Sequence, residues 1–281
     1  MIDRHVFIPS RGRYKGVGKL CDVWLNKGFQ VHLSVEPHEA YKYSLHTPSG
    51  VEIIPLDAMN AGIAYNRSKC VMRAHRRGYE SIILADDDIK PSTRRADNMI
   101  EILQACRHPK ILGMTARYSY HDLCLGPDIK DMDDIILLST GTFRLVGLNV
   151  ENVIKLGNYD IKLEYAEDCD LFLRGLKAGY PWLIHLGTWA NSIGTRYQPG
   201  GMLDFTKRNG YYNLDHAKCH WHQDFHKKWP DVTNAHTEKC KGKQNCIRIQ
   251  WQCAYDKYLP GWRKWSELHG GDLQRYIDGE S

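Results

Sequence analysis

SIILADDDIKPS, residues 81–92, places three consecutive carboxylates, Asp86, Asp87 and Asp88, directly after a short apolar run. Like charges side by side repel, so either the turn is solvated or something of opposite charge holds it together. What precedes the acids bears on the choice. SIILA (81–85) reads as a buried strand, and HVFIPS (5–10), FQVHLSV (29–35) and VEIIPL (51–56) read the same way. Between them lie helical segments over 15–27, closed by Gly28, and 62–77, whose basic end RAHRRG is closed by Gly78. Short strands alternating with helices predict an α/β fold, a mainly parallel sheet with helices on both faces. Ligands of such sheets gather beyond the carboxyl ends of the strands. The Asp triplet and the stretch Pro9–Arg13 both fall there.

Size and composition narrow the classes. With 281 residues, 42% hydrophobic and 25% charged, the chain has the composition of one large globular domain or two small ones. No run approaches the roughly 18 apolar residues of a membrane span. The N-terminus, MIDRHVFIPS, lacks the basic-then-apolar pattern of a secretory signal, so a cytoplasmic setting is expected. Nine scattered cysteines suit reduced thiols better than a disulfide framework. The charge surplus is local: residues 196–248 carry 10 Lys and Arg against 5 Asp and Glu, whereas residues 1–195 carry 24 against 23. Such a stretch is either a solvated surface or a face for a polyanion, whose phosphates attract Lys and Arg.

Four constellations carry candidate chemistry. Asp86 and Asp88, one residue apart after a strand, suit Mg²⁺ or Mn²⁺, which take hard oxygen ligands and are held by one or two carboxylates plus substrate phosphates. IPSRGR (8–13) supplies backbone N–H groups and guanidinium forks suited to a nucleotide, and Arg67 in NAGIAYNRS (60–68) could meet a pyrophosphate or be a surface charge. In YAEDCDL (165–171), Glu167, Asp168 and Asp170 open an amphipathic helix over 166–181. The helix dipole alone accounts for acids there; the functional alternative is a general base. The tail collects Cys219, His220, His222, His236, Cys240, Cys246 and Cys253 without a close cysteine pair, a poor pattern for structural zinc. WLIHL (182–186) reads as a further strand, 135–157 as strands and a short helix, and 190–210 as a mobile loop.

In order along the chain, IPSRGR, GIAYNRS, ILADDDIKP, YAEDCDLFLRGLKAGYP, QPGGM and IRIQWQCAY (247–255) resemble a GT-A-type nucleotide-sugar glycosyltransferase. More closely they resemble the bacteriophage glycosyltransferases associated with TET-type dioxygenases in DNA hypermodification. The resemblance implies a GT-A core over 1–195 and a basic, aromatic acceptor-facing extension of the same domain over 196–281. Pro9, Ser10, Arg11 and Arg13 would line the nucleotide pocket, with Arg67 near the diphosphate. Asp86 and Asp88 would hold the metal, Asp168 with Glu167 would act as base, and Gly200 and Gly201 would belong to a closing loop. Arg248 and Trp251 lie in the matched tail without an assigned contact. A third metal ligand would come from His185, His216, His220 or His222.

The resemblance further implies a UDP-sugar donor, a Mn²⁺ or Mg²⁺ cofactor, and an acceptor hydroxymethyl group of 5-hydroxymethylcytosine, or a derivative, in phage DNA within an infected host. Tyr211, Tyr212, Trp221 and Trp229 would be available to stack on bases, although aromatics of this kind more often belong to the core. Two other readings stand beside this one. A GT-A enzyme could act on a glycan or protein acceptor, or the chain could be a non-catalytic nucleic-acid-binding protein with a structural acidic turn.

Overall fold

A computed structural model describes residues 3–93, 102–104, 106–117, 136–138, 144–163, 166–180, 182–192, 224–225 and 227–231. Its first half is the expected alternation. Strands β1 (His5–Ser10), β2 (Gln30–Val35), β3 (Val51–Pro55) and β4 (Ser81–Ala85) are interleaved with helices α1 (Tyr14–Asn26), α2 (Ala40–Ser44) and α3 (Ile63–Arg76). Gly28 and Gly78, at φ +76° and +73°, end α1 and α3 in the left-handed conformation that glycine adopts without strain. There follow β5 (Ile89–Thr93), β6 (Gly113–Arg117), β7 (Ile136–Leu138), β8 (Leu145–Asn149), α4 (Val150–Lys155), α5 (Glu167–Lys177) and β9 (Trp182–Ser192).

The strands form one sheet in the order β3-β2-β1-β4-β8-β6-β9-β5, with β7 pairing β9. The first four are parallel throughout. β8 enters antiparallel between β4 and β6, and β5 and β7 both pair antiparallel with β9. The result is a parallel half that sets the carboxyl edge and a mixed half beside it.

Because side chains alternate along a strand, each strand feeds two cores. Phe7, Ile82 and Leu84 face a core that contains α3, α4 and α5, while Val6, Ile8, Ile83 and Ala85 face the core under α1. Burial on both sides is why these strands read as continuous apolar runs.

Four elements differ from expectation: α2 and β6 lie where no element was read, and β9 and β5 differ in extent and in kind. β9 runs to Ser192, so the stretch from 190 is strand at its start, paired through Ser192↔Ile89 to Thr188↔Thr93. Its partner β5 was hidden by Pro91, a residue that strands tolerate at a sheet edge, and β5 ends the strand order.

On the α3 face lies a polar cluster. His5 Nδ1 sits 3.1 Å from His32 Nε2, His32 Nδ1 sits 2.6 Å from Glu52 Oε2, and Arg77 donates to both Glu52 oxygens at 2.6 and 2.7 Å. His5 stacks on Tyr79 at 3.6 Å and is 2% exposed. Burial first, then the neighbouring His32, depresses the His5 pKa to about 4. A base held neutral in the fold but free to protonate when unfolded costs stability as pH falls from its unfolded value towards its folded one. Stability should therefore drop by about 3 kcal/mol between pH 6.5 and 4. Glu52, held down to about 2 chiefly by Arg77, adds its own loss only below its ordinary value near 4.5. Urea titrations at pH 7, 5.5 and 4.5 should show the early loss, and His5→Phe should flatten it.

Candidate functional site

The ends of β1, β2 and β4 open on one edge of the sheet, and the acids of 86–88 sit there. Their backbone continues the ladder: the Asp86 N–H donates to the Arg144 carbonyl at 2.8 Å, as β4 does to β8. Beyond Ala85 the strand gives way to a turn over Asp87 and Asp88, closed by the Ile89 N–H on the Asp86 carbonyl at 3.2 Å. Three adjacent acids thus meet two different arginines.

Asp87 and Asp88 meet Arg13, at the start of α1. Arg13 Nη1 bonds Asp87 Oδ1 and lies 3.2 Å from Asp88 Oδ2. A relay supports the pair: the Arg13 N–H donates to the Tyr43 hydroxyl at 3.2 Å, Tyr43 lies 2.7 Å from Ser10 Oγ, and Ser10 donates to Asp87 Oδ2 at 2.6 Å. Burial raises the Asp87 carboxyl to about 6, against the pull of Arg13 and Ser10. Burial also works against the Arg13 charge, but Asp87 and Asp88 outweigh it and raise its pKa.

Asp86 meets Arg67, on α3, which is only 6% exposed. Arg67 Nη2 donates to Asp86 Oδ1 at 2.7 Å and Nη1 to Glu167 Oε1 at 2.8 Å; Asp168 Oδ2 stands 4.0 Å from Nη1. The sequence expectation put Arg67 near a diphosphate or on a helix surface. In the structure it is buried and committed to carboxylates from two elements. Burial lowers the tendency of Arg67 to stay charged, but Asp86 and Glu167 reverse that and raise its pKa.

Glu167 and Asp168 open α5 after Ala166, a non-glycine residue at φ 61°. Such a left-handed residue is strained and persists where its surroundings demand it. Here it turns the chain so that the first turn of α5 faces Arg67. The two acids differ in exposure: the Glu167 side chain is 6% exposed and that of Asp168 is 18%. Burial raises the Glu167 pKa, Arg67 opposes that, and the Asp168 charge adds to it. The Asp168 carboxylate also accepts the Cys169 N–H at 2.8 Å.

The remaining expected residues fall as follows. Pro9 is buried in β1 beyond its last pairing with β4. Arg11 donates to Asn60 Oδ1 at 3.2 Å, and the Asn60 N–H donates to Glu36 Oε2 at 2.8 Å. Gly12 donates to Glu39 Oε2 at 3.0 Å. Glu36, Glu39 and Tyr43 were not singled out in the sequence, and no local pattern points to them; Asp87 was read only as a member of the acidic triplet. His185 lies in β9 beside Ala116. Gly200, Gly201, Arg248, Trp251, His216, His220, His222 and the Cys/His-rich tail lie outside the described residues. Trp229 falls on the core side of its two readings: it is 8% exposed and its indole N–H donates to Asp170 at 2.9 Å, so the ring is packed against α5 and not presented for base stacking.

The carboxylates suit a hard cation. Asp86 and Asp88 each give one oxygen to an arginine, leaving Asp86 Oδ2 and Asp88 Oδ1 without a hydrogen bond among the described residues. Two such oxygens plus phosphate match the way Mg²⁺ is usually held. Among the described residues no group of three His, Cys, Asp or Glu converges as a complete ligand set.

No family model and no curated protein matches the sequence. Solved structures do match. A mannosyltransferase from Pyrobaculum calidifontis, in complex with GDP-Man and Mn²⁺, is similar over 99% of this chain and 88% of its own, with a TM-score of 0.51 and 12% identity. S. aureus TarS (residues 1–349) is similar over 98% and 77% of the two chains, at 0.47 and 10%. At 12% identity the likeness to the mannosyltransferase is one of architecture: the chain has a GT-A-like fold.

Arg67 tests how the site is built. Removing one partner of a buried ion pair leaves an uncompensated charge, so Arg67→Met should cost about 3–5 kcal/mol in urea unfolding. Adding Glu167→Gln to Arg67→Met should recover part of that loss, because one stranded carboxylate is neutralised.

Proposed function

We propose that this chain is a metal-dependent glycosyltransferase that moves a sugar from a UDP-sugar to the hydroxymethyl group of 5-hydroxymethylcytosine, or a derivative of it, in DNA. One observation carries the transferase reading. At the carboxyl edge of a GT-A-like sheet, five carboxylates, Asp86, Asp87, Asp88, Glu167 and Asp168, converge around two arginines, Arg13 and Arg67. The similar mannosyltransferase was solved with a nucleotide sugar and Mn²⁺, which supports a donor and a cation of those classes here.

In this reading Asp86 and Asp88 hold Mn²⁺ or Mg²⁺. Bound there, the cation supplies positive charge against the diphosphate as it leaves. Ser10, Arg11 and Arg13 form the turn on the nucleotide side, and Arg67 holds Asp86 and Glu167 in place from behind. Asp168, the more exposed acid of its pair, takes the proton of the attacking hydroxyl. Glu167 is poorly suited to that step, being buried and bound to Arg67. For an inverting transfer the balance is simple. The hydroxyl oxygen bonds the anomeric carbon, the bond to the diphosphate breaks, and the proton goes to Asp168.

The DNA part rests on the basic 196–248 stretch and on the sequence resemblance. β9, the last described strand before that stretch, ends at Ser192, paired with Ile89 next to Asp88. A base flipped from the stack would bring its hydroxymethyl group within reach.

Incubation with hydroxymethylated DNA, Mn²⁺ or Mg²⁺ and a panel of UDP-sugars should add one hexose mass to the modified nucleoside. Asp86→Asn with Asp88→Asn should remove that product while leaving the protein folded. Binding to DNA should weaken steeply from 50 to 200 mM salt. Transfer to a glycan or protein acceptor without any DNA product would remove the DNA assignment and keep the enzyme class.

A further inference from the structure

Asp170 is three residues past Glu167 and has no exposure at all. A buried carboxylate is tolerated only when donors surround it. Asp170 has three: Arg174 Nε at 2.8 Å on Oδ2, and Trp229 Nε1 at 2.9 Å with Lys228 Nζ at 2.8 Å on Oδ1. Two of the three come from residues some 60 positions later in the chain. Phe225 and Trp229 also join the apolar core that contains Leu171, Phe172 and Leu176 of α5.

The network reaches the site by two routes. The Asp170 backbone N–H donates to the Ala166 carbonyl at 2.9 Å, closing the turn that carries Glu167 and Asp168 over the strained Ala166. Arg174, held by Asp170, donates to the Asn158 carbonyl at 2.6 Å, and the Asn158 amide donates to the carbonyl and hydroxyl of Ser68 at 3.0 and 2.9 Å. Ser68 follows Arg67 on α3. Lys228 adds a second tie, to Asp160 Oδ2 at 2.6 Å.

We propose that Trp229 and Lys228 are positioning residues for the Glu167–Asp168 pair, acting through the buried Asp170 carboxylate. The segment around 228–229 is then a strut of the site. It holds the far end of the turn whose near end presents the acids to Arg67. Misplacing a reacting group by about 1 Å costs up to a hundredfold in rate, so the strut shows in kcat. The donor side is built on β1, α1 and the 86–88 turn, whereas the polar partners of Lys228 and Trp229 given above are Asp160 and Asp170. This kinetic expectation rests on the transferase reading above.

The test uses the full chain with Trp229→Phe, which keeps a buried ring and deletes the N–H, and Lys228→Met, whose side chain is partly exposed, singly and together. The double variant should lower kcat about tenfold or more per folded molecule, with KM for the nucleotide sugar within about twofold of the parent. Folded fraction comes from thermal melts of the same samples. Unchanged kcat per folded molecule, or a loss confined to donor KM, overturns the strut. A parent protein without transferase activity removes the function reading instead, and hydrogen exchange then decides alone. Amides 167–171 should exchange about tenfold faster in both single variants while those of α1 stay unchanged. Parent-like exchange at 167–171 overturns the proposal.

Discussion

The structure depends on one guanidinium. Arg67 enters a nearly solvent-free space and meets Asp86 from the end of β4 and Glu167 from the start of α5, residues 19 and 100 positions away. An arginine suits the task because it does not deprotonate in proteins and its rigid fork serves two acceptors at once. Without that charge, neither acid could sit at low exposure beside the other. The same contact joins the two halves of the molecule. It ties the parallel half, which presents Asp86, to the α5 segment, which presents Glu167 and Asp168.

Arg13 does the parallel job on the opposite face of the sheet. The turn after β4 sends Asp86 to Arg67 and both Asp87 and Asp88 to Arg13, so each arginine collects its own acids. This arrangement answers the question raised by three acids in a row. They are tolerated in the described structure because two arginines take them from two sides.

Much of this was legible in the sequence, and the missing parts share a cause. Strand β4 and the candidate acids Asp86 and Asp88 could be read locally, because apolar runs and turn residues report on neighbours a few positions away. The opening of α5 with Glu167 and Asp168 was equally plain from its periodicity. Arg67 was recognised as a candidate, but its true partners were not, since nothing within a few residues of it names Glu167. For Trp229 the sequence left core and stacking as alternatives, and only the buried carboxylate that holds its N–H from another element decides for core. β5 was missed because Pro91 argues against a strand, and only the sheet order shows it to be an edge where proline is allowed.

The central claim is that the acids at the end of β4 hold a divalent cation together with a nucleoside diphosphate. Calorimetric titration of UDP into the protein, with and without Mn²⁺, addresses it without requiring an acceptor. The account predicts one-to-one binding that requires Mn²⁺ and disappears in Asp86→Asn with Asp88→Asn. Binding of equal strength without the cation, or in that double variant, would contradict it.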